Sequence, residues 1–491
     1  MIALTLAEIA EIVGGRLHAT DGTPVVTGSV EFDTRKVTGG GLFVALPGER
    51  VDGHDFAAAA VAAGAVGVLA AREVDGPAVI VPPVSQAHTR SVALLGDRDG
   101  SGAAVLAALA SLARHVVDEL STSGNLTVVG ITGSSGKTST KDLVAQLLEQ
   151  LGQTVAPPGS FNSELGHPWT ALRAGADTRH LVLELSARGP GHIAALCRTA
   201  PPRIGVVLNV GSAHLGEFGS REAVALTKGE LVEELPSADE GGVAVLNADD
   251  ALVAAMASRT RARVVLVGQS ASAQVRAEDV RLDEQARAHF TLVTPSGSAQ
   301  VALGLHGAHH VGNALSAAAV ALEVGATPEQ VAEWLSRAQR RSERRMEVTT
   351  RADGVTVVND SFNANPESMN AALKTLATMA RAGNPRRRAW AVLGPMGELG
   401  DDSVAAHDEV GRLAVRLDIS RLVVVGEQAR PMHQGASLEG SWGEESVLVP
   451  DVDAAIALLR EELRGDDVVL VKASKFAALW RVADALLEGD A

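Results

Sequence analysis

Leu126-Thr-Val-Val-Gly-Ile-Thr-Gly-Ser-Ser-Gly-Lys-Thr138 decides how this chain is read. An apolar run, Leu126 to Ile131, leads into a glycine- and serine-rich loop, and a helical pattern follows with apolar positions at Leu143, Val144, Leu147, Leu148 and Leu151. A loop at such a junction aims backbone N–H groups and the positive end of a helix at one point, and glycine lets the main chain approach an anion closely. Lys137 adds a fixed positive charge, and Thr138 puts a hydroxyl where Mg²⁺ bridging nucleotide phosphates would sit. The usual phosphate-loop spacing would place its first glycine at Ile131, so the reading rests on the GSSGKT core in its strand–loop–helix context. Gly133, Ser134, Ser135, Gly136, Lys137, Thr138 and Ser139 are the candidate phosphate-binding residues. The competing interpretation is a Gly/Ser turn carrying a surface lysine.

Downstream of the loop, apolar runs alternate with helical periodicity: Leu181 to Leu185, Ile204 to Leu208, Val243 to Leu246 and Val264 to Val267. That alternation predicts a mostly parallel sheet covered by helices. The basic run Arg337 to Arg345 closes a helical pattern, and a second alternating series begins behind it. Its strands are expected at Val355 to Val358, Ala389 to Leu393, Leu422 to Val425, Val447 to Val449 and Val468 to Val471, with helices starting near Pro366, Ser403, Asp453 and Ser474. This is the pattern of a doubly wound α/β domain. Upstream, a short amphipathic helix (Leu6, Ile9, Ile12, Val13) stops at Gly14-Gly15, Phe56 to Ala71 reads as helix, turn and strand, and Ser121-Thr-Ser-Gly124 precedes the decisive strand. The expected division is 1–122, a small α/β domain; 123–345, a central nucleotide-binding domain; and 346–491, a C-terminal Rossmann-like domain.

Length agrees, since 491 residues are enough for roughly three domains. One cysteine, Cys197, rules out an internal disulfide and suits a reducing compartment. The first dozen residues carry Glu8 and Glu11 where a secretory signal carries Lys or Arg, and no apolar run is long enough to span a bilayer, so a cytoplasmic location is expected. Net charge is −16, which repels polyanions. The run Arg337 to Arg345 is therefore read as a solvated helix end, not a nucleic-acid surface, and any phosphate ligand must be held by local donors.

Three further residues carry chemistry. Glu184 ends an expected strand, at the edge where open α/β sheets place ligands; it is either a hard-cation ligand or a solvated or capping carboxylate. His214 follows the next strand and, taken alone, reads more readily as structural. Lys228, by pattern alone, is an exposed helix lysine.

Several strings share one likeness. They are Asp33-Thr-Arg-Lys-Val37 and Gly48-Glu-Arg-Val-Asp-Gly-His-Asp-Phe56, then Thr132 to Thr138, Asn162-Ser-Glu-Leu-Gly-His-Pro168, Ser186 to Gly191 and Ala213 to Ser220, and finally His309-His-Val-Gly-Asn313, Arg345-Met-Glu347 and Asn359 to Met369. Together they resemble the Mur ligases, ATP-dependent amide-forming enzymes of peptidoglycan synthesis. The string Asn359-Asp-Ser-Phe-Asn-Ala-Asn-Pro-Glu-Ser-Met369 resembles the branch that adds D-alanyl-D-alanine to UDP-N-acetylmuramoyl-tripeptide. His310, Phe362, Pro395 and Ala473 depart from the family strings.

The resemblance implies ATP with two Mg²⁺ ions, held by Thr138, Glu184, His214 and a carbamylated Lys228. It makes Lys137, Lys228, His214 and Arg345 catalytic, and puts Asn313 and Arg345 at the nucleotide. It assigns Thr34, Arg35, Asn162, Ser186, Asp360, Asn363 and Asn365 to substrate. A monomer is expected, with no nucleic-acid partner. Two alternatives stay open: another amino-acid ligase of the superfamily, such as a diamino-acid-adding or folylpolyglutamate-type enzyme, and a nucleotide-dependent switch that forms no bond.

Overall fold

Runs of Val, Ile, Leu and Ala form most strands of the three larger sheets, and the intervening amphipathic stretches form the helices that cover them. The computed structural model describes residues 1–84, 94, 97–124, 126–211, 215–440 and 443–488. A five-stranded sheet comes first in the chain, in the order Arg16–His18, Ala78–Ile80, Ala65–Ala70, Gly41–Val44, Val30–Glu31. The helix Leu6–Ile12 is capped by Thr5 and stops before Gly14, and Ala57–Ala62 turns at Gly64 into the strand Ala65–Ala70, as their sequence predicts.

The central sheet has nine strands. Its parallel part runs Arg263–Gly268, Val243–Asn247, Ile204–Val207, Thr127–Thr132, His180–Glu184, Thr154–Val155. Thr127–Thr132 lies between Ile204–Val207 and His180–Glu184, so the direction of winding switches beside it. Ligands of open α/β sheets bind at that crevice. Beyond Gly268 the sheet turns antiparallel through Val275–Leu282, Arg287–Thr294 and Gly297–His306. That meander has no counterpart in the sequence reading. Its strands bury one face only, and their outward positions are filled by charged and polar residues that break the apolar runs.

The third sheet has six strands: Glu347–Thr350, Thr356–Asn359, Val468–Lys472, Ala389–Leu393, Arg421–Val425, Ser446–Val449, of which only the first pair is antiparallel. Helices start at Pro366, Ser403 and Val452, within one residue of expectation. The exception is the helix expected near Ser474. A 3₁₀ turn, Lys475–Ala477, comes first, Ala478 takes a left-handed φ of +51°, and the α-helix begins only at Trp480.

The helix Ser101–Thr122, 22 residues long, carries the chain from the first sheet to the second. One apolar cluster runs through it, joining Leu6, Ile9 and Leu42 on one side to Leu181, Ile193 and Leu196 on the other. A second seam is aromatic. Trp169 donates its Nε1–H to the Val30 carbonyl at 2.9 Å, and its ring lies 5.7 Å from Phe32 and 4.9 Å from Phe161. Trp169→Phe keeps most of the ring burial and leaves the Val30 carbonyl without this donor. We expect a loss of about 1–3 kcal/mol in urea unfolding; an unchanged midpoint would mean that this bond does not fasten the seam.

Among the described residues, no helix is long and apolar enough to cross a membrane. The basic run is consumed locally: Arg337 pairs with Glu333, Arg340 with Glu347 and Arg341 with Glu149, while Arg344 lies over Trp480.

Candidate active site

The strand Thr127–Thr132 ends beside Glu184 and Val207, because Ile131 registers with Glu184 and Thr132 with Val207. The loop Gly133–Gly136 leaves this edge and the helix Lys137–Leu148 begins at once. Gly136 caps it at φ +82°, and a Cβ there would stand 2.7 Å from Asn313 Oδ1, so both its conformation and its neighbour call for glycine. The first-turn amides of such a helix have no intrahelical acceptor and face outward with the positive end of the dipole.

The loop is braced from the next strand. Asn209 accepts the Ser134 N–H at its carbonyl (3.1 Å) and the Ser135 N–H at Oδ1 (2.9 Å), and returns an Nδ2–H to the Ser135 carbonyl at 3.2 Å. Ser134 Oγ accepts the Gly211 N–H at 2.8 Å. No sequence motif singled out Asn209.

Around this loop the structure gathers most of the expected chemistry. Lys137 Nζ donates to the Gly133 carbonyl at 2.6 Å. Burial lowers its pKa, with Glu184 and Glu398 opposing that shift. Thr138 Oγ1 lies 3.4 Å from Glu184 Oε2, which also receives Asn162 Nδ2 at 3.3 Å. Glu184 is fully buried; desolvation raises its carboxyl pKa, and Lys141, Lys137 and Arg345 pull it back. Its other oxygen, Oε1, is buried without a hydrogen-bond partner. The reading of Glu184 as a solvated carboxylate is therefore overturned.

Lys228 lies on the helix Arg221–Glu233 and is only 6% exposed, so the reading of an exposed lysine is overturned too. Burial, and then the charge of Lys137, push its ammonium well below the usual lysine range. His214 lies outside the described residues.

Arg345 reaches the site from the start of the third sheet. Its guanidinium stacks 4.1 Å from the Phe362 ring centroid and donates to Thr138 Oγ1 at 3.2 Å. Asn365 caps the helix Pro366–Ala382, and its Nδ2 reaches the Ser134 carbonyl at 3.4 Å. Asp360 binds Lys472, and Lys472 in turn donates to the Asn363 carbonyl. The central and C-terminal sheets thus meet across the phosphate loop.

Beside the helix start lies a cavity of about 550 Å³ lined in part by Ser139, His306, His310, Arg340 and Arg345. Asn313 stands behind it, donating to His310 Nδ1 at 3.3 Å. Ser186 is tied through its N–H to the Asn162 carbonyl. Thr34 and Arg35 lie apart, in the 3₁₀ turn Thr34–Lys36 of the first sheet's rim, where Arg35 is exposed and holds the Asp33 carboxyl down to about 2.

One buried histidine stands close by. His167 is fully buried, and desolvation, partly offset by the backbone of Glu184 and Leu196, lowers its pKa to about 4. Between the ordinary value near 6.5 and 4 the unfolded chain binds this proton and the folded chain does not, so the contribution of His167 to stability is lost as pH falls through that window. His167→Gln should flatten stability against pH there by up to about 1.4 kcal/mol per unit. Identical slopes from urea titrations would show that His167 is protonated in the fold.

Among the described residues, no three His, Cys, Asp or Glu side chains cluster as a metal site. An orphaned carboxylate oxygen beside a hydroxyl nevertheless suits a hard cation that takes its remaining ligands from phosphate and water.

Fold and site define an α/β chain with a phosphate-type loop at the switch point of its central sheet, met there by residues of the third sheet. Family models agree along the chain: the Mur ligase family catalytic domain over residues 28–114, the Mur ligase middle domain over 131–321, and the Mur ligase glutamate ligase domain over 344–475. A UDP-N-acetylmuramoyl-tripeptide–D-alanyl-D-alanine ligase of Mycobacterium bovis is 58% identical, covering 100% of this chain and 99% of its own. The crystal structure of MurF from Acinetobacter baumannii superposes with a TM-score of 0.83 at 28% identity over 99% of both chains. MurF from Thermotoga maritima in complex with ADP matches with a TM-score of 0.74 at 28% identity, over 94% of this chain and 97% of that one. The chain belongs to the Mur ligase family.

Proposed function

We propose that this chain joins D-alanyl-D-alanine to UDP-N-acetylmuramoyl-tripeptide in the cytoplasm, consuming ATP through an acyl phosphate. The observation that carries the reading is the meeting of Lys137, Thr138 and Glu184 with Arg345 at one helix start, in a chain 58% identical over its full length to a ligase of that name. The division into 1–122, 123–345 and 346–491 gives each substrate a domain. The first takes the uridine nucleotide, with Thr34 and Arg35 at its rim; the second takes ATP; the third brings the acceptor, with Asp360, Asn363 and Asn365 at the junction.

A substrate carboxylate attacks the terminal phosphorus of ATP; an O–P bond forms and ADP leaves. The acceptor amine, having given up a proton, then attacks the acyl carbon, and phosphate leaves as the amide forms. Bringing a carboxylate to a polyphosphate is repulsive, more so in a protein of net charge −16, so local cations and positioning must supply the catalysis. Lys137, the helix amides and Arg345 hold the phosphates, with Gly133, Ser134, Ser135, Gly136 and Ser139 shaping the cradle and Asn313 backing the base. Asn162 orients Glu184, and Ser186 lines the path from the strand end. Thr138, Glu184, His214 and a carbamate on Lys228 would hold two Mg²⁺ ions, whose chemistry is to neutralise the charge that develops on the transferred phosphoryl group. An acyl phosphate hydrolyses readily, and closure of the third domain over the second would shield it from water.

Lys228 suits a carbamate because burial and the charge of Lys137 push its ammonium well below the usual lysine range, and only the neutral amine adds CO₂, losing a proton as the N–C bond forms. Lys228→Ala should cost on the order of 100-fold in kcat and regain part of it with added formate or acetate. Failure of every short carboxylate to restore activity, together with an unmodified lysine by mass spectrometry, would exclude the carbamate.

A coupled assay of ADP release from ATP and the UDP-tripeptide, with and without D-alanyl-D-alanine, tests the reading as a whole. Turnover should require the dipeptide. Turnover at the same rate without it would favour a nucleotide switch, and turnover with a single amino acid in its place would favour another ligase of the family.

A further inference from the structure

The link into the third sheet passes through Arg344, Arg345 and Met346. The two residues that flank Arg345 sit at φ +57° and +50°, and neither is glycine. Such conformations are unfavourable for residues with a Cβ and persist only where the surroundings over-determine them.

The contacts that hold this backbone come from both sides of the link. The Arg344 N–H donates to Glu347 Oε2 at 3.2 Å, and the Arg344 carbonyl accepts the Phe362 N–H at 3.2 Å. The Met346 N–H donates to Asp360 Oδ1 at 3.1 Å. Asp360 is itself fixed by its other oxygen: Lys472 Nζ donates to Oδ2 at 2.6 Å and to the Asn363 carbonyl at 2.9 Å. Lys472 is 2% exposed and Asp360 is buried, so this is an ion pair with little water to replace either partner. The result of this arrangement is the course of Arg345, which passes over Phe362 to Thr138 on the phosphate helix.

We propose that Lys472 is a positioning residue for the phosphate site: through Asp360 it holds the Met346 backbone in the conformation that sends Arg345 to Thr138. Its hydrogen bonds go to Asp360 and to the Asn363 carbonyl, and its ammonium is repelled by Arg345, so its hold on the site runs through Asp360. The proposal rests on the reading that Arg345 serves the nucleotide phosphates. Burial lowers the pKa of Lys472 and the Asp360 carboxylate counters it, in keeping with an ammonium that depends on this one carboxylate. Removing the ammonium leaves buried Asp360 without its ion-pair partner, which either weakens its acceptor oxygens or draws it out of the junction. In both cases the Met346 N–H loses a strong, charge-assisted acceptor and the flanking residues are released toward ordinary φ.

The test is a double-mutant cycle on the full chain with ATP, the UDP-tripeptide and the dipeptide. Lys472→Met should lower kcat by about 100-fold, the scale of a catalytic group misplaced by about 1 Å, while KM for the UDP-tripeptide stays within about twofold. In the Arg345→Ala background the same substitution should add less than about twofold, because its target is already gone. An ion pair that only stabilises the fold would lower the melting temperature and leave kcat per folded molecule unchanged; that result, or losses that multiply in the double variant, overturns the proposal. Lys472→Gln keeps a neutral donor to Asp360 and replaces the Met variant if that one fails to fold. It should show a smaller kcat loss with the same non-additivity, and additive losses there overturn the proposal equally. Full activity of Arg345→Ala would instead sink the reading of Arg345, and the proposal with it, whereas additive losses sink the proposal alone.

Discussion

Lys137→Ala should abolish dipeptide-dependent phosphate release from ATP, by on the order of 10³-fold, while circular dichroism and the melting transition stay near those of the parent chain. The large effect follows from position. Lys137 is the first residue of the phosphate helix, its ammonium lies over the loop at the Gly133 carbonyl, and burial has already stripped it of much of its water. A cation held in such surroundings gains more from an incoming polyphosphate than an exposed one would. The small structural effect follows because the loop is braced by Asn209 and Ser134 and needs nothing more from Lys137 than its bond to Gly133. Activity that survives the substitution would remove the phosphate loop from the mechanism.

Glu184→Ala should be nearly as severe. The carboxylate is fully buried at the strand end, where desolvation raises its pKa and Lys141, Lys137 and Arg345 pull it part of the way back. Its loss leaves those cations without their shared counter-charge and removes the oxygen that lacks any protein partner. We expect kcat to fall on the order of 100-fold and the Mg²⁺ concentration for half-activation to rise at least tenfold, the scale of losing a metal ligand or its support. Glu184→Gln, which preserves shape, should show the same shift in the Mg²⁺ titration. An unchanged titration in both variants would mean that Glu184 balances charge without meeting the metal.

These two residues were legible because their context is local. A strand, a glycine loop and a helix lie within a dozen residues around Lys137, and Glu184 closes the next strand of the same alternating pattern. The expected central strands appear within one or two residues of their sequence limits for the same reason: each reads as an apolar run, buried on both faces in all but the outer strand Arg263–Gly268.

What stayed hidden depends on partners far apart in the chain. Asn209 braces a loop 74 residues earlier, Asp142 accepts from Ser342 across 200 residues, and Lys472 meets Asp360 across 112. Nothing in the immediate surroundings of an asparagine or a lysine marks such a bond. The burial of Lys228 was hidden likewise, since its helix has a mixed polar surface and its lysine faces inward only because of what the sheet places opposite. The helix Ser101–Thr122 fell between two polar, small-residue stretches, and its alanine-rich face gives little contrast between buried and exposed positions.

The most direct test of acid activation is the fate of a labelled carboxylate oxygen. The UDP-tripeptide is prepared with ¹⁸O in its terminal carboxylate, turned over with ATP and the dipeptide, and the released phosphate is weighed by mass spectrometry. An acyl phosphate transfers one of those oxygens, so phosphate carrying a single ¹⁸O is the expected product. Phosphate free of label, released while the dipeptide is joined, would contradict the account.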